Sequence, residues 1–359
     1  MVGFPEPTRL VSTLQRNPLA NHLADTDMWN RIRNLWHPEN FHYHHLVGRG
    51  SGHFEGWYLK LVDRVGAQPY ALIPGVFLGE DAHSFIQVLD GRAGTAVYHR
   101  FPLDAFEAAR DRFDITIAGN RFWTGGVELA IASEASTEKH SANGSVLFGS
   151  WRPWPVTTFS PGIMGPYSFV PFMECNHGIL SLDHDLSGSL EVDGRRTDYA
   201  GGRGYVEKDW GRGFPAGYVW AHSNHFGRAG VCLTAAVAII PWLTGAFRGF
   251  IIGFLIDGEL HRFTTYTGSV LERLEMSDTH LHLAIRNRKH RLEVDARKTD
   301  GATLYAPYEK QMIARVAETM TSEVGVRLTR LSDERLVFEG RGQHACLEAQ
   351  GDLARVLGA

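Results

Sequence analysis

Apolar and polar residues alternate with a period of two along much of the chain. Clear examples are residues 113–117, 190–194, 281–285 and 291–295, with Gly, Asn or Asp turn signals close by. Because successive side chains of a strand point to opposite faces, this pattern predicts short, half-buried strands separated by tight turns. Helical spacing is rare and predicts helices only over residues 27–35, 103–109 and 309–319. The chain is therefore expected to be all-β, mainly antiparallel, with few short helices.

The second half of the chain repeats features of the first. The matching segments, in the same order in both halves, are residues 71–74 and 238–241, Gly91 and Gly258, 99–101 and 261–263, and 202–204 and 340–342. Both glycines follow the proline of the preceding segment at the same spacing. Several matches in one order indicate an internal duplication.

Residues 231–256 are long and apolar enough to suggest a membrane span. Their counterpart in the first half, residues 70–91, carries Glu80, Asp81 and His83 in its middle and must therefore be two strands around a turn. By analogy, residues 231–256 are predicted to form two buried strands. We expect no transmembrane segment.

Two duplicated halves rich in short strands predict two antiparallel β-barrels or curved sandwiches, each of ~8–10 strands. The predicted organisation is an N-terminal extension over residues 1–48, a first β-domain over 49–200 and a second over 201–359. The boundary is placed near Gly201, where the first half ends by comparison with the second.

Composition narrows the class of protein. The 359 residues include 36 Lys+Arg and 40 Asp+Glu, a net charge of −4, which argues against nucleic acid as a partner because phosphate binding needs a basic face. The three cysteines, Cys175, Cys232 and Cys346, are isolated in sequence, so neither a disulfide framework nor a thiolate zinc site is predicted. The first residues lack the pattern of a secretory signal peptide. We expect a cytoplasmic location.

A first candidate for chemistry is the segment 203–211. Strand alternation places Arg203, Tyr205, Glu207 and Asp209 on one face. If that face is buried, desolvation and like-charge repulsion would keep one carboxyl protonated, as an acid that can donate a proton. The matching stretch of the second half, residues 341–346, has no acidic residue. The alternative is a solvated outer face on which Glu207 and Asp209 pair with Arg203 or Lys208.

A second candidate is the segment 172–185. In an unbroken strand, Glu174, Asn176 and His184 would share one face, and His177 would share the other with Asp183 and Asp185. An Asp–His pair is suited to acid–base work, and two histidines are suited to a metal site. The alternative is a structural one, in which residues 183–185 form a turn and His177 is an ordinary sheet histidine.

Aromatic residues concentrate beside both segments. In residues 217–224, alternation places Tyr218, Trp220, His222 and Asn224 together. A cavity lined by aromatic side chains suits a large apolar ligand and stabilises a cation, although aromatic residues also commonly fill cores.

Three segments resemble the tocopherol cyclase family: residues 54–58 (Phe-Glu-Gly-Trp-Tyr), 206–215 (Val-Glu-Lys-Asp-Trp-Gly-Arg-Gly-Phe-Pro) and 220–224 (Trp-Ala-His-Ser-Asn). Residues 167–175 (Tyr-Ser-Phe-Val-Pro-Phe-Met-Glu-Cys) are similar to the bacterial branch of that family. The resemblance runs from about Trp36 almost to the C-terminus. It implies a pair of lipocalin-like barrels, and cofactor-free closure of a chromanol ring on a prenylated hydroquinone.

The resemblance carries over best to Glu207, Lys208, Trp210 and Trp57. The plant members have asparagine where this chain has Asp209, so the family does not make Asp209 a catalytic acid. The same fold supports other chemistry, and the bacterial branch need not share the plant substrate.

These observations lead to one hypothesis for the site. A prenylated phenol or hydroquinone enters an aromatic-lined barrel, a carboxylic acid protonates its alkene, and the phenol oxygen captures the tertiary cation. The predicted acid is Glu207 or Asp209, and Glu174 or His177 lies near the phenol. The residues predicted to bind substrate are Trp57, Tyr58, Glu55, Lys208, Trp210, Tyr218, Trp220, His222 and Asn224, and the tryptophans among them are expected to wall the cavity. No metal or cofactor is expected.

Two alternatives remain open at this point. One is a related acid-catalysed enzyme, an alkene hydratase or another cyclase of an isoprenoid or polyketide. The other is a non-catalytic protein that binds an isoprenoid or quinone lipid. Either would take a hydrophobic small molecule, and either is compatible with transient membrane contact; the oligomeric state is not predicted.

Overall fold

The computed structural model describes residues 28–132 and 140–358 of the chain. Regular structure in these ranges is almost entirely antiparallel β, arranged in two sheets. Helix α1 covers residues 28–34 and helix α2 covers Leu353–Leu357, and single 3₁₀ turns lie at His44–Leu46, Leu103–Ala105, Gly165–Phe169 and Thr265–Thr267. The predicted fold class is confirmed.

The first sheet contains twelve strands in the order β4-β3-β2-β1-β12-β10-β9-β8-β7-β6-β5, with β11 paired to β10. The strands are β1 Phe54–Val62, β2 Pro69–Phe77, β3 His83–Asp90, β4 Thr95–Pro102, β5 Phe106–Ala108, β6 Asp114–Ile117, β7 Asn120–Trp123, β8 Gly126–Ile131, β9 Ala142–Phe148, β10 Cys175–Val192, β11 Arg195–Asp198 and β12 Gly202–Gly211.

The second sheet contains ten strands in the order β16-β15-β14-β13-β22-β21-β19-β18-β17, with β20 paired to β21. The strands are β13 Gly217–Ser223, β14 Cys232–Trp242, β15 Gly245–Ile256, β16 Glu259–Thr264, β17 Val270–Met276, β18 His280–Arg286, β19 His290–Arg297, β20 Ala302–Tyr308, β21 Gln311–Arg330 and β22 Leu336–Gly351.

The two sheets have the same central strand order, as an internal duplication predicts. β1 lies between β2 and β12 in the first sheet, and β13 lies between β14 and β22 in the second. The last strand of each repeat thus pairs with its first strand and satisfies the backbone groups along that edge. Strand β12 begins directly after the predicted boundary at Gly201, yet it belongs to the first sheet. The division between the sheets falls between Gly211 and Gly217, beyond the predicted position.

Two of the three predicted helices are wrong. Residues 103–109 form one 3₁₀ turn followed by β5, and residues 311–319 lie in β21. Glu309 and Lys310 have positive φ angles of 44° and 68° and make the turn between β20 and β21. Pairing of this part of β21 with β20, and of its end with β22, outweighs the local helical pattern. The predicted helix over 27–35 is observed as α1; residue 27 and the earlier part of the N-terminal extension lie outside the described residues.

The apolar stretch 231–256 forms β14 and β15, which pair directly, as predicted. Within residues 28–132 and 140–358, no helix is long and apolar enough to cross a membrane.

Three hydrophobic clusters hold the fold together. One cluster packs against the first sheet and includes Trp57 and Val206. Another cluster packs against the second sheet and includes Phe254. A third contains residues of both sheets, among them Tyr58 and Trp220, and joins the repeats. Because neighbours along a strand point to opposite faces, Trp57 enters the first core while Tyr58 enters the cluster between the sheets.

Candidate active site

A mainly apolar cavity lies between the two sheets. Its walls come from both repeats and from the loop before β10; they include Phe54, Gly56, Tyr58, Ile73, Met164, Tyr167, His177, Glu207, Asp209, Phe214, Tyr218, Trp220, Ala236, Ile251, Leu304, Val316 and Glu348. The interiors of the two sheets are filled by their own hydrophobic side chains. Unlike the barrel interior expected from the sequence, this cavity forms where β1, β12, β13 and β22 of the two sheets meet.

Strand β12 contributes the two acidic residues that the alternation singled out. Glu207 and Asp209 both line the cavity, and Glu207 is only 5% exposed. The hydroxyl of Tyr205, two residues earlier on the same face, donates a hydrogen bond of 2.5 Å to Glu207 Oε2. The alternative of a solvated face paired to Arg203 or Lys208 is wrong: Arg203 pairs with Asp183 and Asp185, and Lys208 pairs with Glu55.

Strand β10 brings His177 to the same place. His177 is the cross-strand neighbour of Asp209, and its Nδ1 lies 2.8 Å from Asp209 Oδ1. Its Nε2 lies 3.7 Å from Glu207 Oε2. Burial by itself would lower the pKa of His177, but the charge and hydrogen bond of Asp209, together with the charge that Glu207 carries once it is ionised, raise it to about 9. At neutral pH the imidazole is therefore protonated, with Asp209 as its partner.

Glu207 is held in its neutral form. Burial, reinforced by the charge of Asp209, raises the pKa of Glu207 to about 8, while His177 and the Tyr205 hydroxyl act in the opposite direction. A carboxyl with this pKa is mostly protonated at pH 7, which is what proton donation to a substrate requires.

The second repeat supplies acidic groups that the sequence comparison missed. Glu348 of β22 lines the cavity, and the hydroxyl of Tyr218 donates a hydrogen bond of 2.6 Å to its Oε2. Its cross-strand neighbour on β21 is Glu318, which is 1% exposed and accepts a hydrogen bond from the Tyr58 hydroxyl. Residues 341–346, the stretch that matches the Glu207 segment in sequence, end before Glu348.

Four residues predicted to bind substrate lie on the opposite face of the first sheet. Glu55 and Lys208 form a fully buried ion pair, with 2.5 Å between Nζ and Oε1. The ammonium group of Lys208 lies 4.8 Å from the ring centre of Trp57 and 4.7 Å from that of Trp210. None of the four lines the cavity between the sheets, so Trp57 and Trp210 do not wall it.

Three further predicted residues lie outside the cavity. Glu174 lines a separate cleft beside helix α1, and burial raises its pKa. His222 is fully buried and stacks on Tyr205 with 3.6 Å between ring centres. Asn224 donates hydrogen bonds to Asp183 and to the carbonyl of Gly204. The predicted residues that the structure does bring to the cavity are Glu207, Asp209, His177, Tyr58, Tyr218 and Trp220.

Two buried nitrogen atoms in the cavity wall lack a hydrogen-bond partner within the described ranges. They are Nε2 of His177 and Nε1 of Trp220. An unpaired buried N–H group costs about 1–3 kcal/mol, which an oxygen atom of a bound molecule would recover.

His177, Glu207 and Asp209 also have the composition of a metal site. Their ligand atoms lie within 4.8 Å of one another, a spacing that lets one imidazole and two carboxylates share a cation. Binding a metal through Nδ1 would require His177 to give up its hydrogen bond to Asp209.

Comparison with known proteins places the chain among relatives of one family. The family described as tocopherol cyclase-like matches residues 150–351. The probable tocopherol cyclase, chloroplastic, of Oryza sativa subsp. japonica is 26% identical over 206 residues, which are 55% of this chain and 44% of that protein. The tocopherol cyclase, chloroplastic, of Zea mays is 27% identical over 191 residues, 50% of this chain and 40% of that protein. The matches thus span less than half the length of these plant relatives.

Among solved structures, the crystal structure of CghA with Sch210972 is similar in fold. The TM-score is 0.53 at 11% identity, with 83% of this chain and 88% of that chain covered. At this identity the likeness concerns the fold alone.

Proposed function

This chain belongs to the tocopherol cyclase-like family, and we propose that it closes an oxygen-containing ring on a prenylated phenol or hydroquinone without a cofactor. The observation that carries the proposal is a neutral, buried carboxylic acid, Glu207, facing an apolar cavity with aromatic walls. Protonating an isolated alkene needs an acid that stays protonated and a site that excludes water. Glu207 supplies the first, and the mainly apolar lining of the cavity favours the second.

The reaction is an isomerisation in which every proton is accounted for. Glu207 gives its proton to one alkene carbon of the prenyl chain, so a C–H bond forms and a tertiary cation develops on the neighbouring carbon. The phenol oxygen attacks that carbon, the C–O bond forms, and the phenolic proton is released to the Glu207 carboxylate. Substrate and product therefore have the same mass.

The walls of the cavity suit the charge that develops during this step. The rings of Tyr58 and Trp220 meet edge to face with centres 5.7 Å apart, and both line the cavity. Aromatic faces stabilise a nearby cation by about 0.5–2 kcal/mol each, without providing a nucleophile that would capture it.

His177 is suited to hold the reacting oxygen. It is protonated and oriented by Asp209, and its second ring nitrogen, Nε2, lacks a partner in the described residues. An Nε2–H directed at the phenol oxygen would place that oxygen beside Glu207, since Nε2 and the Glu207 carboxyl are 3.7 Å apart. This proximity of acid and nucleophile is what ring closure requires.

The test is incubation of the purified protein with a panel of prenylated phenols and hydroquinones in deuterium oxide. The expected product is an isomer of the substrate that carries one deuterium on the former alkene carbon. Glu207→Gln should lower kcat by ~10²–10⁴, because the amide cannot donate the proton. The rate of the unsubstituted protein should fall as the pH rises through about 8, where Glu207 loses its proton.

Glu191→Gln is the matched control, since Glu191 is exposed on β10 and far from the acid chemistry. A product that has gained water would identify a hydratase instead, and tight binding of a substrate recovered unchanged would identify a lipid-binding protein. Full activity in both Glu207→Gln and Asp209→Asn would remove these side chains from the mechanism.

A further inference from the structure

Glu207 accepts a hydrogen bond from a residue that lies behind it and does not line the cavity. Tyr205 precedes Glu207 by two positions on β12, and its side chain is fully buried. Its hydroxyl donates a hydrogen bond of 2.5 Å to Glu207 Oε2. The ring of Tyr205 stacks on His222 with 3.6 Å between ring centres, and Thr234 Oγ1 lies 3.4 Å from the hydroxyl oxygen. The donor is therefore held in place by its surroundings.

The charge of a donor affects how a buried carboxyl group ionises. Burial raises the pKa of Glu55, but the charge and hydrogen bond of Lys208 act in the opposite direction, because a cation favours the ionised carboxylate. Tyr205 is a neutral donor, and burial holds its pKa well above the usual range, so it keeps its proton. Tyr205 can therefore fix the position of Glu207 without placing a positive charge beside it.

The same kind of pair occurs twice more between the sheets. The Tyr218 hydroxyl donates a hydrogen bond of 2.6 Å to Glu348 Oε2, and the Tyr58 hydroxyl donates one to Glu318. Both of these glutamates also have raised pKa values because they are buried. A tyrosine O–H group is thus the donor for each of the three carboxyl groups that the fold buries in this region.

Two donors face one particular oxygen of Glu207. Oε2 accepts the hydrogen bond from Tyr205 and lies 3.7 Å from Nε2 of the protonated His177. A neutral carboxyl group has one O–H donor and one carbonyl oxygen that accepts. The Tyr205 hydroxyl has a single proton and directs it at Oε2, so Oε2 is the carbonyl oxygen. The acidic proton of Glu207 is therefore on Oε1.

We propose that Tyr205 is a positioning residue for ring closure, because its hydrogen bond to Oε2 keeps the transferable proton on Glu207 Oε1. This inference rests on the proposed cyclase function. In the proton transfer, the Oε1–H bond breaks and leaves its electron pair on the carboxylate, while the alkene electron pair forms the new C–H bond. The hydrogen bond from Tyr205 strengthens as that negative charge develops, since charged acceptors bind donors about twice as strongly as neutral ones.

Infrared spectroscopy tests which oxygen accepts the hydrogen bond. At pH 6, below the Glu207 pKa of about 8, neutral Glu207 contributes a carbonyl stretching band, which is identified as the band that Glu207→Gln removes. Tyr205→Phe keeps the ring and removes the O–H group, so this band should shift to higher wavenumber. Replacing Tyr205 by 3-fluorotyrosine makes the phenol a stronger donor, and the band should then shift to lower wavenumber.

Steady-state kinetics tests the consequence for the reaction. Tyr205→Phe should lower kcat by about 10–100-fold, the loss typical of a hydrogen bond to a group that becomes charged. KM should change by less than about twofold, because Tyr205 does not line the cavity. Tyr199→Phe is the matched control: Tyr199 is fully buried in the first core, and its hydroxyl has no hydrogen-bond partner in the described part of the chain. It should leave the band and kcat unchanged.

A Glu207 band at the same wavenumber in Tyr205→Phe and in the unsubstituted protein would overturn the proposal. So would a kcat within about twofold of the unsubstituted value. If Tyr205→Phe does not fold, the 3-fluorotyrosine protein decides, and an unmoved band there has the same meaning. Failure of the unsubstituted protein to close a ring on any prenylated phenol of the panel would instead refute the proposed function, as would a Glu207→Gln spectrum that lacks no carbonyl band.

Discussion

Lys208 lies between Glu207 and Asp209 in the sequence, but we predict that its side chain contributes to the stability of the fold and not to substrate binding. Strand alternation turns it away from Glu207 and Asp209 and into the first core, where it is fully buried. Its ammonium group pairs with Glu55 and donates hydrogen bonds to the carbonyls of Pro38, at 2.9 Å, and Asn40. It thereby fastens the segment before β1 to β12.

The substitution Lys208→Met retains most of the side-chain volume and removes the charge. Glu55, also fully buried, would then lose its ionic partner and keep its hydrogen bonds from the backbone N–H of His42. Removing one partner of a buried ion pair costs about 3–5 kcal/mol, because the remaining charge has no compensation. Contacts of the ammonium group with the rings of Trp57 and Trp210 add to this loss.

The assay is urea unfolding followed by tryptophan fluorescence, combined with steady-state kinetics on the folded variant. With an m-value of about 3 kcal/mol/M, the midpoint should fall by roughly 1–1.7 M. The double variant Glu55→Gln/Lys208→Met should lose less than the sum of the single variants, by at least ~1 kcal/mol. Lys289→Met, at an exposed turn, is the control and should leave the midpoint unchanged.

KM should remain close to that of the unsubstituted protein wherever Lys208→Met is folded. A loss of stability below about 1 kcal/mol would refute the account of the buried pair. A raised KM at full stability would show that Lys208 contacts the substrate after all, as the family resemblance had suggested.

Three other predictions follow from the cavity and its charges. Gly56→Leu should raise KM by about tenfold or more with little change in stability. A Cβ at this position would be 3.8 Å from the nearest atom, which is an ordinary contact, and the longer side chain would fill the cavity. An unchanged KM would contradict the proposed location of the substrate. The His177–Asp209 pair should stabilise the fold by at most about 3 kcal/mol. Because its folded pKa of about 9 exceeds the unfolded value, this stabilisation is complete below about pH 6.5 and is lost as pH rises through about 9. Comparing urea unfolding of the unsubstituted protein and His177→Asn at pH 6 and pH 9.5 checks it, and a stability difference that grows with pH would refute it. Dialysis against a chelator should leave ring closure unchanged, since a proton from Glu207 suffices; activity lost on dialysis and restored by a divalent cation would instead assign a metal to His177, Glu207 and Asp209.

Much of the fold could be predicted because it depends on neighbours in the chain. Period-two alternation identified strands such as β6 and β18, and it placed Glu207 and Asp209 on one face of β12. The repeated segments predicted two related β-domains, and they explained the apolar stretch 231–256 as a hairpin of two strands.

Where local pattern and long-range pairing conflicted, the pattern failed. Residues 311–319 have helical spacing, yet they form part of β21 because β20 and β22 offer ladder partners that a helix would forgo. The division between the sheets lies beyond Gly201 for a related reason: β12 completes the ladder of β1, and nothing in its local sequence indicates which sheet it joins.

The sequence by itself determined which residues of a strand share a face, since alternation is a property of the backbone. It did not determine which face meets the other repeat. Trp57 and Tyr58 are adjacent and equally aromatic, but only Tyr58 reaches the cavity, because the sheets pack against each other on that side. The meeting of Glu207 with Glu348, from strands more than a hundred residues apart, was likewise decided only by the tertiary structure. Burial and mutual charge, the two causes that keep these carboxyls protonated, exist only once the sheets have come together.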